Sequence, residues 1–118
     1  MMTFIPSISK SIAVITLALT GIVSSSVFAF DAETAEAMAR QSGCFKCHSI
    51  EKKKDGPAYR EVAAKHKGKA DAEQRLIKHI TTGPTVKFPD GHEEEHKIIK
   101  TKDASEIKNL IQWILSLQ

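Results

Sequence analysis

Both cysteines of this chain lie in one short run, Cys44-Phe45-Lys46-Cys47-His48. Two thiols separated by two residues, with a histidine directly after the second, form the attachment signature of a c-type haem. The chemistry explains the spacing. The sulfurs bond to the vinyl carbons of the porphyrin, the two intervening residues let them reach both edges, and the histidine turns beneath the ring so that a nitrogen binds iron. The motif therefore predicts one covalent haem c on Cys44 and Cys47, with His48 as an iron ligand. Two other chemistries use the same residues. A redox-active dithiol would be set among alternating strand and helix patterns, which are not visible here. Half of a zinc site would need two further ligands, for which the later histidines are candidates.

The front of the chain supplies the context that haem attachment needs. Residues 1–29 carry a single basic residue, Lys10, then a largely apolar stretch from Ile12 to Val23, then Ser24-Ser25-Ser26 and the small-residue pattern Val27-Phe28-Ala29. This reads as a secretory signal peptide, cleaved near Ala29, that directs the protein to the periplasm. An uncleaved anchor is the competing reading, but Thr16, Thr20 and Gly21 interrupt a run shorter than the roughly 20 residues a spanning helix needs. Residues 30–118 are then the mature domain, with a charge one unit below the +3 of the whole chain because only Lys10 leaves. So small a domain buries too little apolar surface to stand far above its conformational entropy, and its aromatic supply is thin: Phe30, Phe45, Tyr59, Phe88 and Trp113. A large apolar cofactor would complete its core. No basic block interleaved with aromatics is present, so nucleic acid is not an expected partner.

Helical periodicity runs through the mature part. Ala35, Met38, Ala39 and Ser42 recur at i, i+3, i+4 and i+7 before Gly43, which predicts a first helix with a small-residue face and a glycine stop. A short helix is predicted over Tyr59 to His66. Asp71 and Gln74 resemble a capping pair opening a helix with Leu76, Ile77 and Ile80 inward and Gly83-Pro84 at its end. Asp103 and Glu106 form a second such pair, before the apolar stripe Ile107, Leu110, Ile111, Ile114 and Leu117 beside Trp113. No stretch alternates with period two for long enough to predict a strand. The fold class expected is all-α, about four helices with the first and last packed together beside one haem.

Taken together, these features resemble a small class I monohaem cytochrome c of the bacterial periplasm. Besides Cys44-Phe45-Lys46-Cys47-His48, the segment Gly56-Pro57-Ala58-Tyr59 is similar to that family's Gly-Pro-x-aromatic segment, and Gln112-Trp113-Ile114-Leu115 to its terminal helix. The resemblance implies a cytochrome c fold in which the Pro57 carbonyl accepts a hydrogen bond from the second ring nitrogen of His48. That bond would orient His48 and strengthen it as a donor to iron.

In most class I members a methionine before the last helix is the sixth iron ligand. Here the methionines are Met1, Met2 and Met38, none in that loop. The loop instead carries Pro89-Asp90-Gly91-His92-Glu93-Glu94-Glu95-His96-Lys97. Counted back from the terminal helix, His96 falls within about one residue of the family's ligand position, so His48 and His96 are the expected metal ligands. His92, or a site left open, are the alternatives. His92 to His96 also matches His-Glu-x-x-His, a zinc hydrolase motif, but that reading needs a stable helix where Pro89 and Gly91 precede and no apolar stripe follows. His66 and His79 read as solvated residues of their helices.

Two strong-field protein ligands leave no position for a substrate, so the function expected is a periplasmic electron carrier rather than an enzyme, with bis-histidine ligation and a low reduction potential. A gas-binding or sensing haem protein with an open sixth site is the alternative, as is a haem subunit of a larger oxidoreductase. Lys46, Lys52, Lys53, Lys54, Lys65, Lys67 and Lys69 surround the haem-attachment half of the chain and suggest a Lys-rich face for docking redox partner proteins. The protein is expected to be a monomer that meets the membrane only through such a partner.

Overall fold

The computed structural model describes residues 30–118, and the expected signal peptide lies outside them. The elements run in the order α1 (Ala32–Gln41), a single 3-10 turn (Cys44–Lys46), α2 (Tyr59–His66), α3 (Ala72–Thr82), β1 (Thr85–Lys87), β2 (Glu93–Glu95) and α4 (Ala104–Ser116). The apolar stripe of α4 is the organising surface. Leu110 and Ile111 are the largest fully buried side chains, and α1, α2 and α3 each pack against this helix.

Small residues set how closely α1 approaches. Ala35 and Ala39 are fully buried against α4. The Asp31 N–H donates to Asn109 Oδ1 at 2.7 Å while Asn109 Nδ2 donates back to the Asp31 carbonyl at 2.9 Å, fixing the register of the two helices. The Asp31 carboxylate caps α1 through the Thr34 N–H, and Gly43, at φ +75°, ends the connection in a left-handed conformation that a side chain would strain.

The two proposed capping pairs behave differently. The Asp103 carboxylate accepts from the Ser105 and Glu106 N–H groups at the start of α4, whereas Glu106 turns to the Thr101 hydroxyl. Asp71 makes no cap bond. It pairs instead with Arg75 one turn on, at 2.5 Å, because a cation at i+4 competes with the backbone for the same carboxylate. A further departure lies between α3 and α4. Thr85 pairs with Glu95, Val86 with Glu94 and Lys87 with Glu93 in an antiparallel hairpin. Three-residue strands, one of them all glutamate, leave no alternation to read, and the fold stays predominantly helical.

Candidate functional site

Gly43 directs the chain into the 3-10 turn, where the N–H groups of Cys47 and His48 both donate to the Cys44 carbonyl, at 3.2 and 2.9 Å. This tight turn puts Cys44, Cys47 and His48 on one wall of a cavity of about 1200 Å³. Both cysteines are free thiols. Burial pushes the Cys44 thiol above its ordinary pKa, with a smaller opposing effect from its bond to Tyr59.

His48 is held on three sides. Its Nδ1 donates to the Pro57 carbonyl at 2.7 Å. A carbonyl can only accept, so the proton sits on Nδ1 and the lone pair is left on Nε2. The ring stacks on Tyr59 with centroids 5.2 Å apart, and Tyr59 in turn meets Trp113 of α4 edge-on at 5.8 Å. On the remaining side a Cβ at Gly56 would lie 2.5 Å from His48 Cε1, so only glycine leaves room for the imidazole.

The opposite wall is built by the end of α3 and the hairpin. Gly83 terminates α3 at φ +63°, and a Cβ there would stand 2.9 Å from the His96 carbonyl oxygen. Its absence lets the return strand close on the helix end, where the His96 N–H donates to the Pro84 carbonyl at 2.9 Å. His96 Nδ1 donates to the Lys97 carbonyl at 2.9 Å, which again leaves the lone pair on Nε2. Burial holds the half-buried His96 below its ordinary pKa, against the Lys97 carbonyl and with the help of nearby His48, so the ring is neutral. The His48 and His96 rings lie 6.0 Å apart, centroid to centroid. Two imidazoles sharing one metal ion between them, with bonds of roughly 2 Å, need about that spacing.

His92 is elsewhere. It is exposed, stacks on Phe88 at 4.3 Å, and has Nδ1 bonded to the Asp90 carboxylate and Nε2 at 3.2 Å from Glu94. The residues between His92 and His96 form strand β2, not a helix, so four steps of extended backbone separate the pair by about 13 Å and the zinc-hydrolase arrangement is not formed. Met38 is also remote: its sulfur takes a hydrogen bond from the Ser42 hydroxyl at 3.8 Å, and it packs against the α1–α4 core.

The reading of His66 and His79 as solvated is overturned, because both line the cavity. The His79 ring is 4.2 Å from that of His96, and burial followed by the neighbouring His96 and His48 lowers its pKa. His66 Nδ1 is buried without a hydrogen-bond partner. Helical spacing held the clue: Tyr59, Val62 and His66 share one stripe of α2, and Leu76, His79 and Ile80 one stripe of α3.

The cavity tests whether a haem fits. Its volume is somewhat above the roughly 300–1,000 Å³ of ordinary ligand pockets, and Val62, Leu76, Ile80 and Ile114 give it an apolar lining. Two thiols, two imidazoles with free Nε2 lone pairs and one orphaned polar nitrogen converge on it. Among the described residues no three His, Cys, Asp or Glu side chains are grouped to hold a metal ion. The residues present fit the group.

Helices enclosing an apolar cavity, with a Cys-x-x-Cys-His turn on its wall, define a small c-type haem protein. The chain belongs to the cytochrome c family, whose model matches residues 32–118. It is 37% identical over 86 residues to cytochrome c-551 of Allochromatium vinosum, covering 68% of this chain and 82% of that protein. Cytochrome c-552 of Hydrogenobacter thermophilus is 36% identical over 83 residues, with 70% and 81% covered. Among solved structures, the class 1 cytochrome MtoD from Sideroxydans lithotrophicus ES-1 superposes with a TM-score of 0.73 at 58% identity, covering 75% of this chain and 98% of that one. Like these small cytochromes, the chain is an electron carrier with one covalent haem c rather than an enzyme.

Proposed function

We propose that this protein is an exported, low-potential electron carrier whose haem is bonded to Cys44 and Cys47 and whose iron is ligated by His48 and His96. The observation that carries the reading is the pair of facing imidazoles, each with Nδ1 tied to a backbone carbonyl and Nε2 left as the donor. The haem, when bound, supplies an iron that gains and loses one electron. The chain's own residues keep that exchange simple. Pro57 and the Lys97 carbonyl fix the two tautomers, so neither ring must rotate or shed a proton when the charge on iron changes. Tyr59 and Trp113 brace His48 from the core side. Replacing a thioether by a second imidazole removes the ligand that favours ferrous iron and lowers the potential, on the order of 0.1 to 0.3 V within the ~0.8 V that axial ligands command. Residues 1–29 serve as the signal peptide and 30–118 as the periplasmic domain, a monomer that passes electrons to partner proteins across a lysine-bearing face.

Spectroscopy of the haem-loaded protein tests the ligation directly. The wild type is expected to be low-spin in both redox states and inert to carbon monoxide. His96→Ala should become high-spin and bind carbon monoxide, His92→Ala should leave the spectrum unchanged, and His96→Met should raise the potential. A high-spin wild-type ferric protein would sink the bis-histidine reading and favour a gas-binding site.

A further inference from the structure

We propose that protonated His92 is a positioning residue: it clasps the tip of the β1–β2 hairpin and so holds the strand that carries His96 against the haem cavity, a hold that loosens when the proton leaves for solvent. The hold on His96 rests on the ligation proposed above, whereas the clasp itself does not.

Although His92 is exposed, its ring is held on three sides. Nδ1 faces the Asp90 carboxylate, Nε2 lies 3.2 Å from Glu94 Oε1, and one face stacks on Phe88 with centroids 4.3 Å apart. A neutral imidazole has one N–H and one lone pair, so it can serve a single carboxylate and must turn its lone pair on the other. Only the imidazolium donates to both. The bond to Asp90, with Glu94 adding to it, accordingly holds His92 above its ordinary pKa, and the same bond holds the Asp90 carboxyl below its own. Among the described residues, Asp90 and Glu94 are the charged groups that face the ring.

The three contacts fall on three parts of the hairpin. Phe88 precedes the turn, Asp90 lies within it and Glu94 belongs to β2, so one ring ties the outgoing chain, the turn and the returning strand. The backbone follows the same path: the Phe88 N–H donates to the His92 carbonyl and the Gly91 N–H to the Phe88 carbonyl, both at 2.9 Å. A hairpin of three-residue strands needs such a tie, the more so because β2 is Glu93-Glu94-Glu95. Those carboxylates repel one another, and of the residues paired with them across the ladder only Lys87, opposite Glu93, is a cation. A positive His92 offsets a second one.

Behind the clasp lies the haem cavity, which Phe88, Glu94 and His96 line and His92 does not. The other end of the hairpin is closed where the His96 N–H meets the Pro84 carbonyl. Loosening the tip therefore releases Phe88 from the cavity wall and leaves the strand that leads to His96 tied at one end only. Because the native pKa of His92 is raised, the clasp is fully closed below the unfolded value, about 6.5, and is lost as pH rises through the higher native one. Ring and carboxylates are all exposed, so screening limits the effect to about two- to fivefold in the balance of closed and open hairpin.

The test uses haem-loaded protein between about pH 5.5 and 8.5, the range over which an imidazole changes charge. Magnetic resonance of the ferrous form should give His92 a pKa above about 6.5, and the pair Asp90→Asn with Glu94→Gln should return it toward that value. Exchange protection of the Phe88 and His96 amides, corrected for the intrinsic rate, should fall about two- to fivefold across the range in the wild type. In His92→Gln it should be lower at acid pH and flat, and the amides of α1 and α4 should show no step in either protein. The limiting rate at which hydrogen cyanide displaces the sixth ligand of the ferric protein should rise by the same factor in the wild type and stay level in His92→Gln. A His92 pKa at or below about 6.5, or hairpin protection with the same pH dependence in both proteins, would overturn the clasp. A step in hairpin protection without one in cyanide entry would overturn its hold on the ligand strand. High-spin ferric iron in the wild type speaks against the ligation alone and leaves the hairpin step standing, so the two failures are told apart.

Discussion

Gly56 has no side chain, yet it decides how His48 sits. The imidazole occupies the space a Cβ would need, 2.5 Å from His48 Cε1, and Tyr59 blocks retreat on the other face. Gly56→Ala is therefore expected to push the ring off the Pro57 carbonyl, at a cost of about 1–3 kcal/mol typical of overpacking. Denaturation of the haem-loaded variant measures the loss, and a shifted ferric spectrum would show that the ligand itself moved; unchanged stability and spectrum would mean that the ring has room to yield. Most of this wall was legible in sequence, because the Cys-x-x-Cys-His and Gly-Pro segments are local patterns with local chemistry. His66 and His79 were harder to assign. Their stripes place them on inward faces, but periodicity alone does not tell a histidine that lines a cavity from one that reaches past the core to water.

Among the elements, α4 and α1 were the most readable, since an apolar stripe five residues deep and a small-residue face at helical spacing leave little choice of face. The hairpin was invisible for the opposite reason: each strand has only three residues, too few for an alternation to show, and β2 is exposed throughout. Capping also depends on competition that spacing does not reveal, as Asp71 shows by choosing Arg75. Asp103 is the better cap, and the N–H and hydroxyl groups of Ser105 hold its carboxyl below the ordinary range, with the Glu106 N–H adding to the effect. Asp103→Ala should lower the melting temperature at neutral pH by leaving those donors unpaired at the helix start. A depressed native pKa means that the stabilisation is fully present above the unfolded value, about 3.9, and is withdrawn as pH falls through the lower native one. The gap in melting temperature between wild type and variant should therefore shrink only at acid pH. A gap that stayed constant down to pH 2 would show that the carboxylate contributes nothing through its charge.

For the molecule as a whole, the apolar surface is divided unequally between protein and haem. The α1–α4 pair buries Ala35, Ala39, Leu110 and Ile111 against each other and against Trp113, so that junction is complete within the chain. By contrast α3 has only Ala72 buried; Leu76, Ile77 and Ile80 are half-buried, with Leu76 and Ile80 lining the cavity. The hairpin depends on α3 through Gly83 and the bond from the Ile99 N–H to the Ile80 carbonyl. Without a macrocycle between the walls, the inner face of α3 would meet water, and each apolar side chain left exposed forgoes about 1.5–3 kcal/mol of burial. That is a large fraction of the net stability of so small a domain. The haem-free variant Cys44→Ala with Cys47→Ala is thus expected to lose amide protection over α3 and the hairpin first, while α1 and α4 keep residual protection through their own contact. Hydrogen exchange read residue by residue distinguishes the outcomes. Protection lost to the same degree in every helix would mean that the haem holds a single cooperative unit together, and protection retained in α3 would mean that its packing on α4 suffices. The division expected here has a consequence for assembly: the α1–α4 pair can form before haem arrives, keeping the 3-10 turn that bears both thiols tethered to ordered structure while the far wall waits for the macrocycle to close on.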